Sequence, residues 1–472
     1  MLPALMATTA SAPSASSASF LERRFRMAER GSSVRVELLG GVSTFLTMSY
    51  ILFVNPAILS AAGLPFEAVA VATALAAALA TAAMGLITNY PFALASGLGL
   101  NAVVAFEIVL GRNLPWPVGM ACVVIEGLIG LVLVLAGFRE AVMRAIPTSL
   151  KLSIGVGIGL FITLVGLREG GIVVNNPATG IGLADLTAGP PLIALAGIAV
   201  AVMLAARNVR GALLAGIAVS AVLGIVFGVL DGPDGVARLP KGGDFSTIGD
   251  ALTANALGDA LAVALIPIIF ALFMTDFFDT LGSVVGLGSS AKLLDDRDEL
   301  PGMRKVLMVD SAAAAVGGAM GVSSVTTYVE SGAGISEGAR TGLASVVTAA
   351  LFLLAVLFVP VMALVGGDVA YGKDTFIHPA VAPALVLVGF LMIRLVPAIE
   401  WDKPEFALPA FLIIAGVPLT FSIAAGIGFG VLGFVAVMVA QGRAREVHPL
   451  MYVLVPLFIA FFASDWLSAH VF

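Results

Sequence analysis

The sequence predicts an all-α polytopic membrane protein of fourteen transmembrane segments arranged as two inverted seven-span repeats, on three observations. Hydrophobic residues make up 60% of the 472 and charged residues only 11%, with a mean hydropathy of +1.08, far from the balance of a soluble domain. Apolar runs of spanning length recur from Val36 onward, separated by short polar connections. Two of the runs are too short to cross and hold the third position in each half, the arrangement that points to a transporter site near the bilayer midplane.

Residues 1–35 form a leader. The first nineteen are rich in Ser, Ala and Thr with no preceding positive charge, unlike a signal peptide, and Phe20–Arg26 is a basic segment suited to a headgroup surface. The expected spans are 36–60, 67–88, 97–110, 117–137, 148–167, 191–206, 211–230, 259–285, 304–321, 328–338, 342–366, 380–398, 405–421 and 423–440. Within the C-terminal segment 441–472, Leu450–Leu467 is either a further crossing or a surface helix. With a cytoplasmic N-terminus, all of the 24 Lys and Arg except Arg112, Arg168, Arg238, Lys241 and Lys373 fall on the inner side, the bias expected of inner loops. The bias supports the fourteen-span count and this orientation; the expected location is a plasma membrane of bacterial type, the inner membrane.

The short spans are opened by Pro91–Ser96 and by Gly321–Thr327, stretches of small and β-branched residues that read as extended backbone feeding half-helices. Extended backbone at membrane depth must be buried in protein or line a cavity. The halves echo each other at Ile146-Pro147 and Ile377-His378-Pro379, each followed by an apolar run. Seven spans per repeat bring the second repeat in from the opposite side, hence the inversion.

The chemistry centres on Asp276 and Asp279, three residues apart inside the apolar run 260–287, where a carboxylate costs about 2.5–3.5 kcal/mol on insertion scales. Helical spacing puts both on one face. Glu330 at the start of the tenth span and Asn101 in the third are expected to converge with them. Buried carboxylates offer in-plane acceptors to a flat heterocycle carrying ring N–H groups, and free backbone N–H groups near Gly97 and Gly332 add donors. Two neighbouring acids in low dielectric resist simultaneous ionisation, which suits a proton carrier. Asp310, on the ninth span, is a further coupling candidate. Glu107 and Glu126 are expected near span ends, without a direct role, and Gly155–Gly159 in close helix packing.

Several classes are excluded. Scattered basic residues and a net charge of −6 give nucleic acid no footprint. One cysteine, Cys122, and three distant histidines offer no metal site and no nucleophile–base set, so the chain is not expected to be an enzyme or to carry a cofactor. It has no nucleotide-binding Gly-Lys-Ser/Thr loop.

The stretches Gly41–Pro56, Ala95–Ala102, Asn176–Thr179, Asp276–Gly282, Thr326–Ser331 and Arg340–Leu343 resemble the AzgA-like purine permease branch of the nucleobase/cation symporter-2 family over roughly residues 20–460. The resemblance implies the uracil-permease fold, with a core domain from 36–137 and 259–366 and a gate domain from 148–230 and 380–440. It implies proton-coupled import of adenine, guanine and hypoxanthine, with the core moving against the gate like an elevator, often in a homodimer. Carried over by position, substrate contacts fall on Asn101, Asp276 and Glu330 and proton coupling on Asp279; the reading of the residues themselves adds Gly97, Ser331 and Gly332 to the expected binding set and Glu330 and Asp310 to the expected coupling set. Sodium in place of protons stays open. Ser96 stands where the family usually has Pro, a departure expected to loosen the extended segment. Rival readings are a passive channel or facilitator and an anion exchanger on the same fold; the acids count against the exchanger.

Overall fold

A computed structural model describes residues 20–137, 146–209, 211–233, 235–262, 265–295, 300–367, 369–371 and 376–463, apart from the side chains at 278 and 281. The leader 1–19, residues 464–467 of the last apolar stretch, and Arg139, Arg144, Arg210, Arg297 and Lys373 of the charge pattern lie outside them.

Among the described residues the chain is helical apart from three two-stranded pairs. Eight helices are long and apolar enough to cross a membrane: Val34–Ser60, Phe66–Thr88, Trp116–Leu135, Thr148–Glu169, Gly189–Ala206, Ile266–Ser290, Gly342–Val365 and Ile423–Ala440. Shorter apolar helices occupy Leu98–Leu110, Ala212–Val226, Ala382–Ala398, Pro404–Thr420 and Pro449–Phe462. Three expected spans differ in detail. The first bends between Met48 and Ile51, the eighth is preceded by a separate short helix, Ala254–Ala260, and the tenth is helical only over Ser331–Ser336.

The two extended segments pair with each other. Leu94–Ser96 runs antiparallel to Val325–Thr327 in the register Leu94↔Thr327, Ala95↔Thr326, Ser96↔Val325. Gly97 N donates to Ser324 O at 2.8 Å and Tyr328 N to Ala93 O at 2.9 Å, extending the ladder at both ends. Side chains satisfy the outward backbone groups: Thr81 Oγ1 lies 2.9 Å from both N and O of Leu94, and Ser345 Oγ donates to Tyr90 O and Phe92 O. Each half supplies one strand, so neither leaves an edge unpaired at membrane depth. An antiparallel match between corresponding strands is what inverted repeats demand.

Ser96 does not loosen this segment. Its hydroxyl is within reach of Asn101 Oδ1 (2.8 Å) and the Val322 carbonyl, and its own carbonyl accepts the Tyr328 hydroxyl. A serine supplies a side-chain donor where a proline has none.

The helices sort into two packed groups. One holds Val34–Met48, Phe66–Thr88, Trp116–Leu135, Ile266–Ser290, Met303–Ala319 and Gly342–Ala355; the other holds Thr148–Glu169, Gly189–Ala206, Ala212–Val226, Ala382–Ile393, Pro404–Thr420 and Ile423–Ala440. Small residues set the closest approaches. A Cβ on Gly159 would sit 2.6 Å from Met392 Cβ, so the glycines of 155–159 serve helix packing as expected. Against backbone the tightest approach among the described residues is at Gly342, where a Cβ would lie 2.0 Å from Gly85 O. Gly342→Ala is therefore expected to cost about 1–3 kcal/mol as the helices are forced apart, visible as a lower melting temperature in detergent; an unchanged melting curve would contradict this packing.

Polar contacts tie the ends together. Asn89, left-handed at the end of Phe66–Thr88 (φ 59°), accepts Gly342 N on Oδ1 and donates to Phe25 O. The buried Glu37 carboxylate accepts the N–H groups of Arg340, Thr341 and Ala344. Arg30 bonds Asn89 O and Arg340 O at that end. At the other end of Phe66–Thr88, Arg238 pairs with Glu67 and with Asp244, whose carboxyl its hydrogen bonds hold below the usual range.

Candidate functional site

A cavity of about 230 Å³ opens where the two helix groups face each other. The first group contributes Tyr50, Gly97–Gly99, Asp279, Ser283 and Thr327–Glu330; the second contributes an apolar wall of Ile162, Val388, Leu391, Met392 and Leu395. The volume is below the roughly 300–1,000 Å³ of drug-sized pockets and matches one small ring system. The paired strands deliver two chain ends to it: Ser96 leads through Gly97 into Leu98–Ala102, and Thr327 leads through Glu330 into Ser331–Ser336.

Glu330 Oε1 accepts the Tyr50 hydroxyl at 2.7 Å, and its backbone carbonyl accepts Thr47 Oγ1 at 3.3 Å. One carboxylate oxygen is thus anchored and the other is left for a ligand. Asp279, exposed to the cavity, makes no hydrogen bond to another described residue. No Lys, Arg or His lines this space among the described residues. Its polar character is that of acceptors and hydroxyls, set against a flat apolar wall.

Behind the strands lies a second cluster. Asp276 and Asp310 are 5% and 2% exposed. Asp276 Oδ1 accepts Ser324 Oγ at 2.9 Å. Asp310 Oδ1 accepts the backbone N–H (2.9 Å) and hydroxyl (2.7 Å) of Thr327, while Oδ2 accepts Thr280 Oγ1 at 2.6 Å. Thr280 in turn lies 2.7 Å from Thr326 Oγ1. With Glu126, these groups surround a void of only about 10 Å³.

The structure therefore divides the expected site residues. Gly97, Asp279 and Glu330 meet at the larger cavity; Asp276 and Asp310 line the smaller one. Asn101 is fully buried next to Ser96, its Nδ2 without a partner among the described residues. Ser331 Oγ accepts Ala93 N and so locks the strand rather than facing the cavity. The N–H groups of Gly97 and Gly332 are not free donors, because they are spent on Ser324 O and Val329 O. Leu98 and Gly99, whose first-turn amides lack intrahelical acceptors, line the cavity.

Glu107 lies in the last turn of Leu98–Leu110, near a span end as expected, whereas Glu126 departs from expectation. Glu126 sits midway along Trp116–Leu135, 1% exposed; Glu107 Oε2 accepts Ala424 N at 3.5 Å, at the start of Ile423–Ala440. Tyr50, Tyr328 and Thr327 went unnoticed as site residues. Tyr50 lies inside an apolar run, and only the pairing that brings Glu330 to it reveals its part. Asn176–Thr179 forms the turn of a hairpin, Val173–Asn176 with Gly180–Leu183, away from both cavities.

Comparison with known proteins agrees with this architecture. The profile of the Permease family matches residues 35–431. The guanine/hypoxanthine permease PbuG of Bacillus subtilis is 41% identical over 93% of this chain and 98% of its own. The adenine permease AdeP of Escherichia coli is 37% identical over 93% and 95%. Among solved structures, the transmembrane domain of the cyanobacterium bicarbonate transporter BicA superposes with a TM-score of 0.56 over 83% of this chain and 97% of that one, at 17% identity, a likeness of fold alone. The chain thus belongs to the permease family, in its nucleobase/cation symporter-2 lineage: a multi-pass membrane transporter and not an enzyme.

Proposed function

We propose that this protein imports purine nucleobases, adenine, guanine or hypoxanthine, by proton symport across a bacterial inner membrane. The observation that carries the reading is the cavity between the helix groups, with Asp279 and Glu330 presenting acceptors where no Lys, Arg or His lies among the described residues. A purine offers ring N–H and exocyclic groups in one plane. The free oxygen of Glu330 accepts from that edge, the amides of Leu98 and Gly99 donate to ring nitrogen or carbonyl, and the Met392–Val388 wall covers a ring face. The names of the relatives from Bacillus and Escherichia support purines as the substrate class.

Asp276 and Asn101 act in this reading from the strand side, holding Ser324 and Ser96 where the two half-helices begin. Asp279 exchanges protons with the cavity, and Asp310, bonded to Thr327 of the cavity wall, carries the coupling inward. The first helix group, with its strands, is the moving core and the second the gate, within a fourteen-span elevator that works as a homodimer. The apolar gate wall supports this, since a surface without directed hydrogen bonds can slide. The gathering of Arg30 and Arg340 at one end of the helices supports a cytoplasmic N-terminus.

An anion exchanger is disfavoured, because a cavity with two carboxylates and no cation repels an anion. Uptake of labelled hypoxanthine, adenine, guanine and uracil into proteoliposomes tests the reading. A purine is expected to accumulate only under an inward proton gradient, by up to about tenfold per pH unit for one proton. Equilibration without accumulation would instead indicate a passive facilitator, and accumulation driven by sodium alone would replace the proton.

A further inference from the structure

We propose that the coupling proton is stored on Glu126, in the small cavity behind the paired strands, rather than beside the purine. This inference rests on the symport reading and adds to it the site at which the proton is held.

Three helices each bring one acid to this void: Glu126 from Trp116–Leu135, Asp276 from Ile266–Ser290 and Asp310 from Met303–Ala319. The acids are not equivalent. Asp310 accepts three hydrogen bonds that use both oxygens, and Asp276 accepts one from Ser324. The Glu126 carboxyl has the Ser324 hydroxyl beside it, but its Oε1, on a side chain 1% exposed, has no hydrogen-bond partner among the described residues. A buried, unpartnered carboxylate oxygen is costly unless it carries or contacts a proton donor. The void, at about 10 Å³, admits at most one water, and no grouping of three acids, histidines or cysteines with metal-holding geometry occurs among the described residues. A proton meets the requirement of the site and a larger cation does not.

The charged groups around Glu126 are all acidic at this depth. Asp276 and Asp310 face it directly, with Asp279 and Glu330 beyond them at the larger cavity. On other elements packed against its helix, Glu107 turns to Ala424, Asp250 and Asp259 are exposed, and Arg304 and Lys305 are exposed at the far end, Arg304 on Leu135 O. No base competes for the proton.

The two cavities share a wall. Thr327 lines the purine cavity and donates twice to Asp310, while Thr280 lines the small one and joins Asp310 to Thr326 on the strand. A ligand that shifts Thr327 or Asp279 thus changes the hydrogen bonds around Asp310, and with them the field at Glu126. The Glu126 carboxylate takes up one proton on the outer side, travels neutral with the core, and releases that proton inside.

The test is Glu126→Gln in the full chain, reconstituted in proteoliposomes beside the wild type. E126Q should bind purine and catalyse purine exchange within about twofold of wild type, yet equilibrate purine instead of accumulating it. The difference-infrared band of a protonated carboxyl that responds to purine should be missing, and Glu126→Asp should restore both. Accumulation by E126Q equal to wild type, or an unchanged infrared band, overturns the proposal, as does loss of binding together with uptake in both variants, which would mark Glu126 as structural. Wild-type accumulation driven by a sodium gradient at equal pH overturns it in favour of a metal cation. If the wild type itself moves no purine, the symport reading fails; if the wild type accumulates purine and E126Q does so equally, only this inference fails.

Discussion

Glu330→Gln is expected to weaken purine binding by roughly 30- to 700-fold, about 2–4 kcal/mol, and to abolish uptake at micromolar substrate. The carboxylate has one oxygen committed to Tyr50 and one turned to the cavity. Gln preserves the Tyr50 bond through its carbonyl, so the start of the Ser331–Ser336 helix keeps its anchor and the melting temperature should hold. Its amide, however, presents N–H groups where the purine edge also presents N–H groups, replacing a charge-assisted bond by two opposed donors. Equilibrium binding of labelled hypoxanthine to purified protein measures the loss. Unaltered affinity in a folded E330Q would remove Glu330 from the site.

Asp310 separates structure from charge in a pair of variants. Asp310→Ala leaves the Thr327 N–H and the hydroxyls of Thr327 and Thr280 without their acceptor, at about 1–3 kcal/mol for each donor that finds no other partner. Thr327 is both the end of the strand pair and part of the purine cavity, so D310A should melt several degrees lower and bind purine poorly. Asp310→Asn keeps an oxygen for Thr327 and offers its amide to Thr280, which still reaches Thr326. D310N should therefore melt close to wild type and bind purine, while gradient-driven accumulation falls. Equal melting of both variants would show that the strand pair does not depend on this acceptor, and full accumulation by D310N would remove the Asp310 charge from coupling.

Much of the fold was legible in the chain. Apolar runs such as 67–88 and 117–137 must be helices at membrane depth, because only a helix satisfies its own backbone there. The extended stretches were legible from Pro91 and from the Ser and Thr residues after Gly321. Their pairing was not, since the Ala95↔Thr326 contact joins residues 231 apart. That pairing consumed the Gly97 N–H, which sequence reasoning had left for the ligand. The bend in the first span and the short tenth helix escaped for a related reason: hydropathy reports where a segment lies, not where its helix breaks.

Asp276, Asp279, Glu330 and Asp310 stood out because carboxylates are costly in an apolar run, and the structure places all four around the strand pair. Helical spacing put Asp276 and Asp279 on one face, and the strands then divided that face, turning one acid to Ser324 and the other to the open cavity. Glu126 carried the same cost but seemed peripheral, because its depth depends on where Trp116–Leu135 begins and on which helices surround it. By itself, then, the sequence determined the membrane fold, the doubled architecture and the acids that must be accounted for, since hydropathy and buried charge act locally along the chain. Which acid meets a ligand, which holds a strand and which keeps one oxygen without a donor among the described residues was decided only by tertiary structure, because hydrogen bonds between distant segments allot each carboxylate oxygen its donor.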